Sequence, residues 1–183
     1  MPATVLVVHS SGPQGPGEGS DPLVSRLREE LGTDYEVLFP TMPGTEDDPH
    51  YAPWRDRLSS ELDTAKGRVI ILGHSLGGSV VLKYAAERDL GNRVAGLVLV
   101  ETPFWGTSDW EREWALPESW PAEGSQLPPT FLFHSRDDEE IPFAHLELYA
   151  ERLPEATVHR LDGTGHLLDR GDIAEIVDAV RSL

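Results

Sequence analysis

The chain has 183 residues, the size of one ordinary domain, and its 39% hydrophobic and 26% charged residues exclude a disordered or low-complexity protein. Its 32 acidic and 15 basic residues give a formal net charge of -17, which disfavours binding to nucleic acid or to an anionic membrane surface. The absence of cysteine excludes disulfides, thiolate metal sites and a cysteine nucleophile. No targeting segment and no membrane-spanning run is recognisable, so we predict one cytoplasmic domain over residues 1–183.

Short β-branched runs alternate along the chain with amphipathic helical patterns, which is typical of an α/β protein with a parallel sheet. Most of the predicted strands are apolar throughout, as in strands that helices cover on both faces. The predicted strands are 4–8, 35–39, 68–72, 94–100, 130–133 and 157–161. The last strand is the most polar, so we expect it at an edge of the sheet.

Five helices are predicted from apolar residues that recur every three or four positions. Their apolar faces include Leu27, Trp54, Val81, Leu146 and Val177. Pro142 suits the first position of the fourth helix.

Two irregular segments interrupt this pattern, at residues 10–21 and 102–129. The second holds four of the five tryptophans, namely Trp105, Trp110, Trp114 and Trp120. These side chains are interpreted either as packing anchors or as an apolar wall beside a site. The second interpretation has support because ligands bind at the carboxyl ends of parallel strands, where this segment begins.

The most informative segment is Gly73-His74-Ser75-Leu76-Gly77-Gly78, which follows a predicted strand and precedes a predicted helix. This strand–turn–helix context is the one that a Gly-x-Ser-x-Gly nucleophile motif requires. A serine on so sharp a turn is strained, which favours neighbours without a Cβ atom. The N–H of Leu76 would lie at a helix N-terminus and could stabilise an oxyanion. The alternative is a plain helix-entry turn.

A serine nucleophile needs a base, which we expect on a loop that follows a late strand. Of the seven histidines, only His166 fits, in a glycine-rich loop between the last strand and the last helix. His9 ends the first strand and is predicted to shape a neighbouring loop, and His50 is a candidate pocket residue.

The acid that orients this base should follow the fifth strand, where four consecutive carboxylates occupy residues 137–140. We favour Asp138, with Asp137 and Glu101 as alternatives. Glu101 ends the fourth strand, from which an acid can reach the same imidazole. Glu139 and Glu140 are interpreted as solvated charges.

Taken together, these motifs resemble those of the α/β-hydrolase family, and more narrowly of its small, lidless members of the retinoblastoma-binding-protein type. The resemblance covers essentially the whole chain. It rests on Val5–His9 with the Ser/Gly loop that follows, on Gly73–Gly78, on Asp138 with Ile141-Pro142, and on Gly165-His166. The family's usual His-Gly pair reads His9-Ser10 here.

The resemblance implies a minimal α/β-hydrolase fold, a three-layer sandwich of about six parallel strands flanked by helices. It also implies a catalytic triad of Ser75, Asp138 and His166. Family members use a second oxyanion donor from the loop after the first strand. By position this donor is Ser11, with Ser10 as the alternative.

The predicted function is hydrolysis of small esters through an acyl-enzyme intermediate, with a small-molecule ester as substrate and with neither nucleic acid nor a membrane as partner. Phe104, Trp105 and Trp110 are the predicted substrate-binding residues. No metal and no organic cofactor is predicted, because no zinc, phosphate-loop or dinucleotide motif occurs. The alternatives are the same triad in an amidase, thioesterase, perhydrolase or lyase, and a non-catalytic interaction module on a hydrolase fold.

Overall fold

A computed structural model of the chain describes residues 2–46, 48–106, 112–122 and 126–183. Six strands, all paired in parallel, form one sheet in the order β2-β1-β3-β4-β5-β6. The strands are β1 (Ala3–Val8), β2 (Tyr35–Leu38), β3 (Val69–His74), β4 (Val94–Val100), β5 (Thr130–Ser135) and β6 (Thr157–Leu161). The predictions of a parallel sheet and of an edge position for the last strand are confirmed.

Helices cover both faces of this sheet, because the residues of its inner strands are apolar on both sides. The helices are α1 (Asp21–Leu31), α2 (Tyr51–Thr64), α3 (Leu76–Glu87), α4 (Ala144–Arg152) and α5 (Ala174–Ser182). On β3, Ile70 and Leu72 pack in the layer of α1 and α5, whereas Val69 and Ile71 pack in the layer of α2, α3 and α4. The predicted three-layer α/β sandwich is confirmed.

Some element boundaries differ from those predicted. β3 continues through His74 and β5 through Ser135, because these residues still pair with β4 and β6, respectively. Pro142 does not occupy the first position of α4, which begins at Ala144. A tighter turn precedes this helix, in which the His145 N–H donates to the carbonyl oxygen of Pro142 at 2.9 Å.

Main-chain carbonyls anchor the tryptophan-rich segment between β4 and β5 to the helices beneath it. Lys83 on α3 donates to the carbonyl oxygen of Glu113 at 2.6 Å, and Arg152 on α4 donates to that of Trp120 at 2.8 Å. Trp114 and Trp120 are themselves buried in the core. Among the helices that the structure describes, none is long and apolar enough to cross a membrane.

Candidate active site

Ser75 lies at the carboxyl edge of the sheet, where β3 turns into α3. It has a φ of 51° and a ψ of −121°, a left-handed conformation that is costly for a residue with a Cβ atom. Its N–H donates to the carbonyl oxygen of Val100 on β4, at 2.8 Å, which fixes the turn to the neighbouring strand. Leu76 is the first residue of α3, so its N–H lies in the first turn of that helix.

Close packing requires the glycines around Ser75. A Cβ atom on Gly77 would lie 2.2 Å from the carbonyl oxygen of Val8, and one on Gly73 would lie 2.6 Å from the Cα atom of Gly78. Both contacts would be with main-chain atoms, and Cβ atoms in proteins essentially never come within 3.0 Å of a non-bonded heavy atom. The motif therefore lets α3 pack directly on β1, in addition to permitting the sharp turn at the serine.

His166 lies in the loop between β6 and α5, as predicted, and is buried, with 4% of its surface exposed. Its Nδ1 lies 2.9 Å from Oδ2 of Asp138, an arrangement in which Nδ1 donates its proton and Nε2 is the acceptor of a neutral imidazole. Burial by itself raises the pKa of Asp138, but hydrogen bonds from His134, His166 and the N–H of Ile141 outweigh burial and hold this pKa well below its usual range. A carboxylate that orients an imidazole in this way prepares it to act as a general base.

Asp137, an alternative candidate for the acid, braces the loop that carries His166. The hydroxyl of Ser135 donates to its carboxylate, as do the N–H groups of Gly163 at 3.0 Å and Gly165 at 3.3 Å. These hydrogen bonds, that of Ser135 first, lower the pKa of Asp137 to about 2. Sequence reasoning missed this role because it depends on a loop 26 or more positions further along the chain.

Glu101, the other alternative, is fully buried at the end of β4, and its carboxyl group lies beside that of Asp138. Nε2 of His134 lies 3.1 Å from Oε2 of Glu101 and 3.0 Å from the carbonyl oxygen of Ile141. Because a carbonyl oxygen only accepts, this nitrogen carries a proton. Nε2, the imidazole nitrogen that faces the two carboxyl groups, therefore has no lone pair to offer a metal ion, although it lies 3.1 and 3.3 Å from oxygens of Glu101 and Asp138.

One hydroxyl, that of Ser20, joins the loop after β1 to the serine turn. It lies 2.8 Å from Nδ1 of His74, and Nε2 of His74 lies 2.8 Å from the carbonyl oxygen of His166. Nε2 must donate to that carbonyl, so Nδ1 accepts the Ser20 proton. Burial lowers the pKa of His74 to about 3 and keeps it neutral. Ser20 Oγ also accepts the N–H of Ser10 at 2.9 Å.

Ser20 occupies the N-cap position of α1, yet its side chain makes no capping hydrogen bond. A serine before a helix ordinarily predicts a cap, which explains why this role was not recognised. The hydroxyl instead connects the loops that carry Ser10 and His166 through His74.

We expect Ser20→Ala to lower the free energy of unfolding by about 2 kcal/mol, because it leaves the buried Ser10 N–H and His74 Nδ1 without partners. Urea denaturation measures this loss. Ser25→Ala on the exposed side of the same helix is the matched control and should change the free energy by less than about 0.5 kcal/mol. Equal stability of the two variants would contradict the proposed network.

A cavity of about 520 Å³ opens beside Ser75. Its apolar lining residues are Pro49, Leu76, Pro103, Trp105, Trp114 and Ile141. Its polar lining residues are Ser11, Asp48, His50, Ser75, Glu113 and Glu140. The hydrogen bond that the imidazole of His50 donates to Glu113, and the charge of Asp48, raise the pKa of His50. The cavity thus combines an apolar wall with a rim that is rich in carboxylates.

The structure separates the residues that were predicted to form the substrate wall. Trp105 lines the cavity and donates its indole N–H to Ser79 at 2.7 Å. Phe104 lies outside the cavity lining and packs edge-on against Tyr149, with ring centroids 5.0 Å apart. Trp110 lies outside the described residues. Trp114 lines the cavity and is also buried, so both interpretations of the tryptophans hold for it.

Glu140 was interpreted as a solvated charge, and its side chain is indeed 63% exposed. It nevertheless lines the cavity, and its Oε2 lies 3.6 Å from Nε2 of His166. His50, the candidate pocket residue, also lines this cavity.

Comparison with known proteins assigns the chain to a family. Residues 24–173 match the serine hydrolase family, and this range includes Ser75, Asp138 and His166. The chain belongs to the serine hydrolase family. Comparison with curated protein sequences gives no match.

Solved structures similar to this serine hydrolase extend over the whole chain. The ydeN gene product of B. subtilis is 16% identical, with a TM-score of 0.72 over 100% of this chain and 98% of its own. Serine hydrolase CCSP0084 from Cycloclasticus zankles is 15% identical, with a TM-score of 0.76 over 99% and 89%. Mouse alpha/beta hydrolase domain-containing protein 10 is 20% identical, with a TM-score of 0.65 over 98% and 88%. At these identities the likeness establishes the α/β-hydrolase fold alone.

Proposed function

We propose that this serine hydrolase cleaves small, neutral carboxylic esters, with Ser75, His166 and Asp138 as its catalytic triad. Two observations carry the proposal together. Nδ1 of His166 lies 2.9 Å from Oδ2 of Asp138, and Ser75 is held in a left-handed turn between β3 and α3. The hydrogen bond that Nε2 of His74 donates to the carbonyl oxygen of His166 also supports the proposal, because it joins the loop of His166 to the residue next to Ser75.

In this mechanism Oγ of Ser75 attacks the ester carbonyl while Nε2 of His166 takes the hydroxyl proton. The imidazolium, stabilised by Asp138, then gives this proton to the departing alcohol, which leaves an acyl-enzyme. A water molecule, deprotonated by the same imidazole, attacks the acyl group. Collapse of the second tetrahedral intermediate releases the carboxylic acid and returns the proton to Ser75.

The oxyanion of both tetrahedral intermediates is assigned to two main-chain donors. The N–H of Leu76 opens α3, where the helix dipole favours negative charge. For the second donor we favour Ser11 over Ser10. The N–H of Ser10 already donates to Ser20, whereas Ser11 lines the cavity beside Ser75.

The cavity supports the choice of substrate class. A volume of about 520 Å³ suits a small acyl or aryl group, which Trp105 and Trp114 would contact. Carboxylates of Asp48, Glu113 and Glu140 at its rim disfavour an anionic substrate, as does the net charge of -17. We further propose that the protein is a compact hydrolase of the retinoblastoma-binding-protein type, which its motifs and chain length support.

A fluorophosphonate probe tests the proposal. We expect the wild-type protein to be labelled covalently at Ser75, as located by peptide mass spectrometry, and Ser75→Ala to remain unlabelled. Ser79→Ala removes a buried hydroxyl of the same helix and is the matched control, which should still be labelled. Absence of labelling in folded wild-type protein would favour a non-catalytic interaction module.

A substrate series then separates the reactions that one triad can perform. Wild-type protein is given p-nitrophenyl esters of increasing acyl length, an amide, a thioester and an ester with a terminal carboxylate. We expect the short neutral esters to have the highest kcat/KM. A preference for the amide, the thioester or the anionic ester would overturn the substrate class but not the triad.

A further inference from the structure

Two buried carboxyl groups lie next to each other behind the imidazole of His166. The side chains of Asp138 and Glu101 are both 0% exposed, and their oxygens lie 3.3 and 3.1 Å from the same nitrogen, Nε2 of His134, and within 4.8 Å of each other. Glu101 follows β4 with a φ of 51°, a strained conformation for a residue with a Cβ atom. The mechanism proposed above uses only Asp138. Two buried carboxyl groups in contact cannot both ionise, so one of them holds a proton.

The hydrogen-bond donors around Asp138 identify it as the ionised member of the pair. Its Oδ1 accepts the N–H groups of Glu140 at 2.8 Å and Ile141 at 2.9 Å. Its Oδ2 accepts the Nδ1 proton of His166 at 2.9 Å. Three donors aimed at one carboxyl group stabilise its charged form.

Glu101 has fewer donors. The N–H of Ser135 is shared between its two carboxyl oxygens, at 2.9 and 3.1 Å. The Nε2 proton of His134 is shared among Glu101, at 3.1 Å, the carbonyl oxygen of Ile141, at 3.0 Å, and Asp138, at 3.3 Å. Burial, and then the neighbouring Asp138, raise the pKa of Glu101 to about 10.

We propose that Glu101 is a positioning residue, a carboxylic acid that stays protonated and donates its O–H to Asp138, so that this carboxylate is held against His166. The inference rests on the proposed function, because positioning matters only if Asp138 serves the triad. It explains why a buried acid at the end of β4 adds no second negative charge beneath the base.

The other titratable groups that act on this pair come from several elements. They are His134 and Asp137 around the end of β5, His74 on β3, His145 on α4, and His166 with Glu140 at the cavity. Because a Glu101→Gln variant keeps all of them, a difference between this variant and the wild type isolates the proton that the pair of Glu101 and Asp138 holds.

The pH dependence of the free energy of unfolding tests whether the pair of Glu101 and Asp138 holds a proton, because it gives the number of protons released on unfolding. This test requires no enzymatic activity. An acid that is neutral when folded but ionised when unfolded destabilises the folded protein as pH rises. Between pH 6 and 9, the unfolding equilibrium constant of the wild type should therefore rise about tenfold per pH unit relative to that of Glu101→Gln. Urea denaturation at several pH values gives both constants. Glu29→Gln, on an exposed position of α1, is the control and should run parallel to the wild type.

If neither Glu101 nor Asp138 holds a proton in the folded protein, the curves for the wild type and Glu101→Gln will run parallel, and the inference is overturned. This outcome does not depend on whether the protein hydrolyses esters.

Kinetics test the positioning role. An amide at residue 101 still donates to Asp138, so Glu101→Gln should keep kcat/KM within about threefold and leave the midpoint of the acid limb of the pH profile unmoved. If Glu101 were ionised in the wild type, Glu101→Gln would remove a negative charge near the base and lower that midpoint by about one pH unit. Glu101→Leu offers no donor, and its kcat should fall about 100-fold with little change in KM. If Glu101→Leu is as active as Glu101→Gln, Glu101 only fills space.

The two proposals fail in different ways. If the probe labels Ser75 but the proton count finds no protonated acid, only the inference about Glu101 is wrong. If folded wild-type protein does not react with the probe, the triad is wrong, and Glu101 has no positioning role even where the proton count holds.

Discussion

Asp138→Asn is expected to lower kcat for ester hydrolysis by about 10⁴-fold, with little change in KM. The amide of asparagine can present an N–H to Nδ1 of His166, which turns the imidazole into the tautomer with its proton on Nε2. That nitrogen then cannot accept the proton of Ser75. Steady-state kinetics with a short p-nitrophenyl ester measure the loss, and fluorophosphonate labelling should slow in parallel.

Asp137→Asn is the matched control, since it makes the same chemical change one position earlier. Asp137 holds the N–H groups of Gly163 and Gly165 and does not orient the imidazole directly. We expect its kcat to fall by less than about tenfold, while its free energy of unfolding falls measurably because these loop N–H groups lose a charged acceptor. A larger loss of kcat in Asp137→Asn than in Asp138→Asn would reverse the assignment of the acid.

Gly77→Ala is expected to destabilise the fold by about 3 kcal/mol or more, and to abolish hydrolysis in whatever protein remains folded. The added Cβ atom would lie 2.2 Å from the carbonyl oxygen of Val8 and 2.6 Å from that of His9. Since both are main-chain atoms, α3 would have to move away from β1 and carry the Leu76 N–H with it. Urea denaturation followed by circular dichroism gives the free energy.

Gly15→Ala provides the comparison for this substitution. Its Cβ atom would meet only the side chain of Glu18, at 2.5 Å, and a flexible glutamate can turn away. We expect a change below about 0.5 kcal/mol. Comparable destabilisation by both alanines would mean that the close contact of α3 with β1 is not what Gly77 serves.

The parts of the site that could be predicted are those that local sequence encodes. A strand, a sharp turn and a helix follow one another within residues 68–88, so Ser75 could be placed from its neighbours alone. His166 and Asp138 could be placed because the carboxyl ends of parallel strands meet at one edge of the sheet. Short β-branched, apolar runs likewise predicted the six strands that the structure describes, although the ends of four of them differ from the prediction by one or two residues.

The parts that could not be predicted depend on contacts between distant segments. Ser20 lies 54 positions from His74, and nothing around it distinguishes a hydroxyl that caps a helix from one that binds an imidazole. Phe104 and Trp105 are adjacent aromatic residues, yet one packs on α4 and the other lines the cavity. Which of the two faces the substrate is decided by the path of an irregular segment, for which sequence has no periodicity.

The hydrogen bonds that anchor the tryptophan-rich segment bear on how the substrate specificity of the protein could be altered. Lys83 and Arg152 hold carbonyl oxygens of Glu113 and Trp120, and every amino acid possesses such an oxygen. These clamps would therefore persist if side chains along the segment were exchanged. A library randomised at Trp105 would reshape the cavity wall while the scaffold stays in place, which makes this position the natural starting point for directed evolution toward bulkier acyl groups.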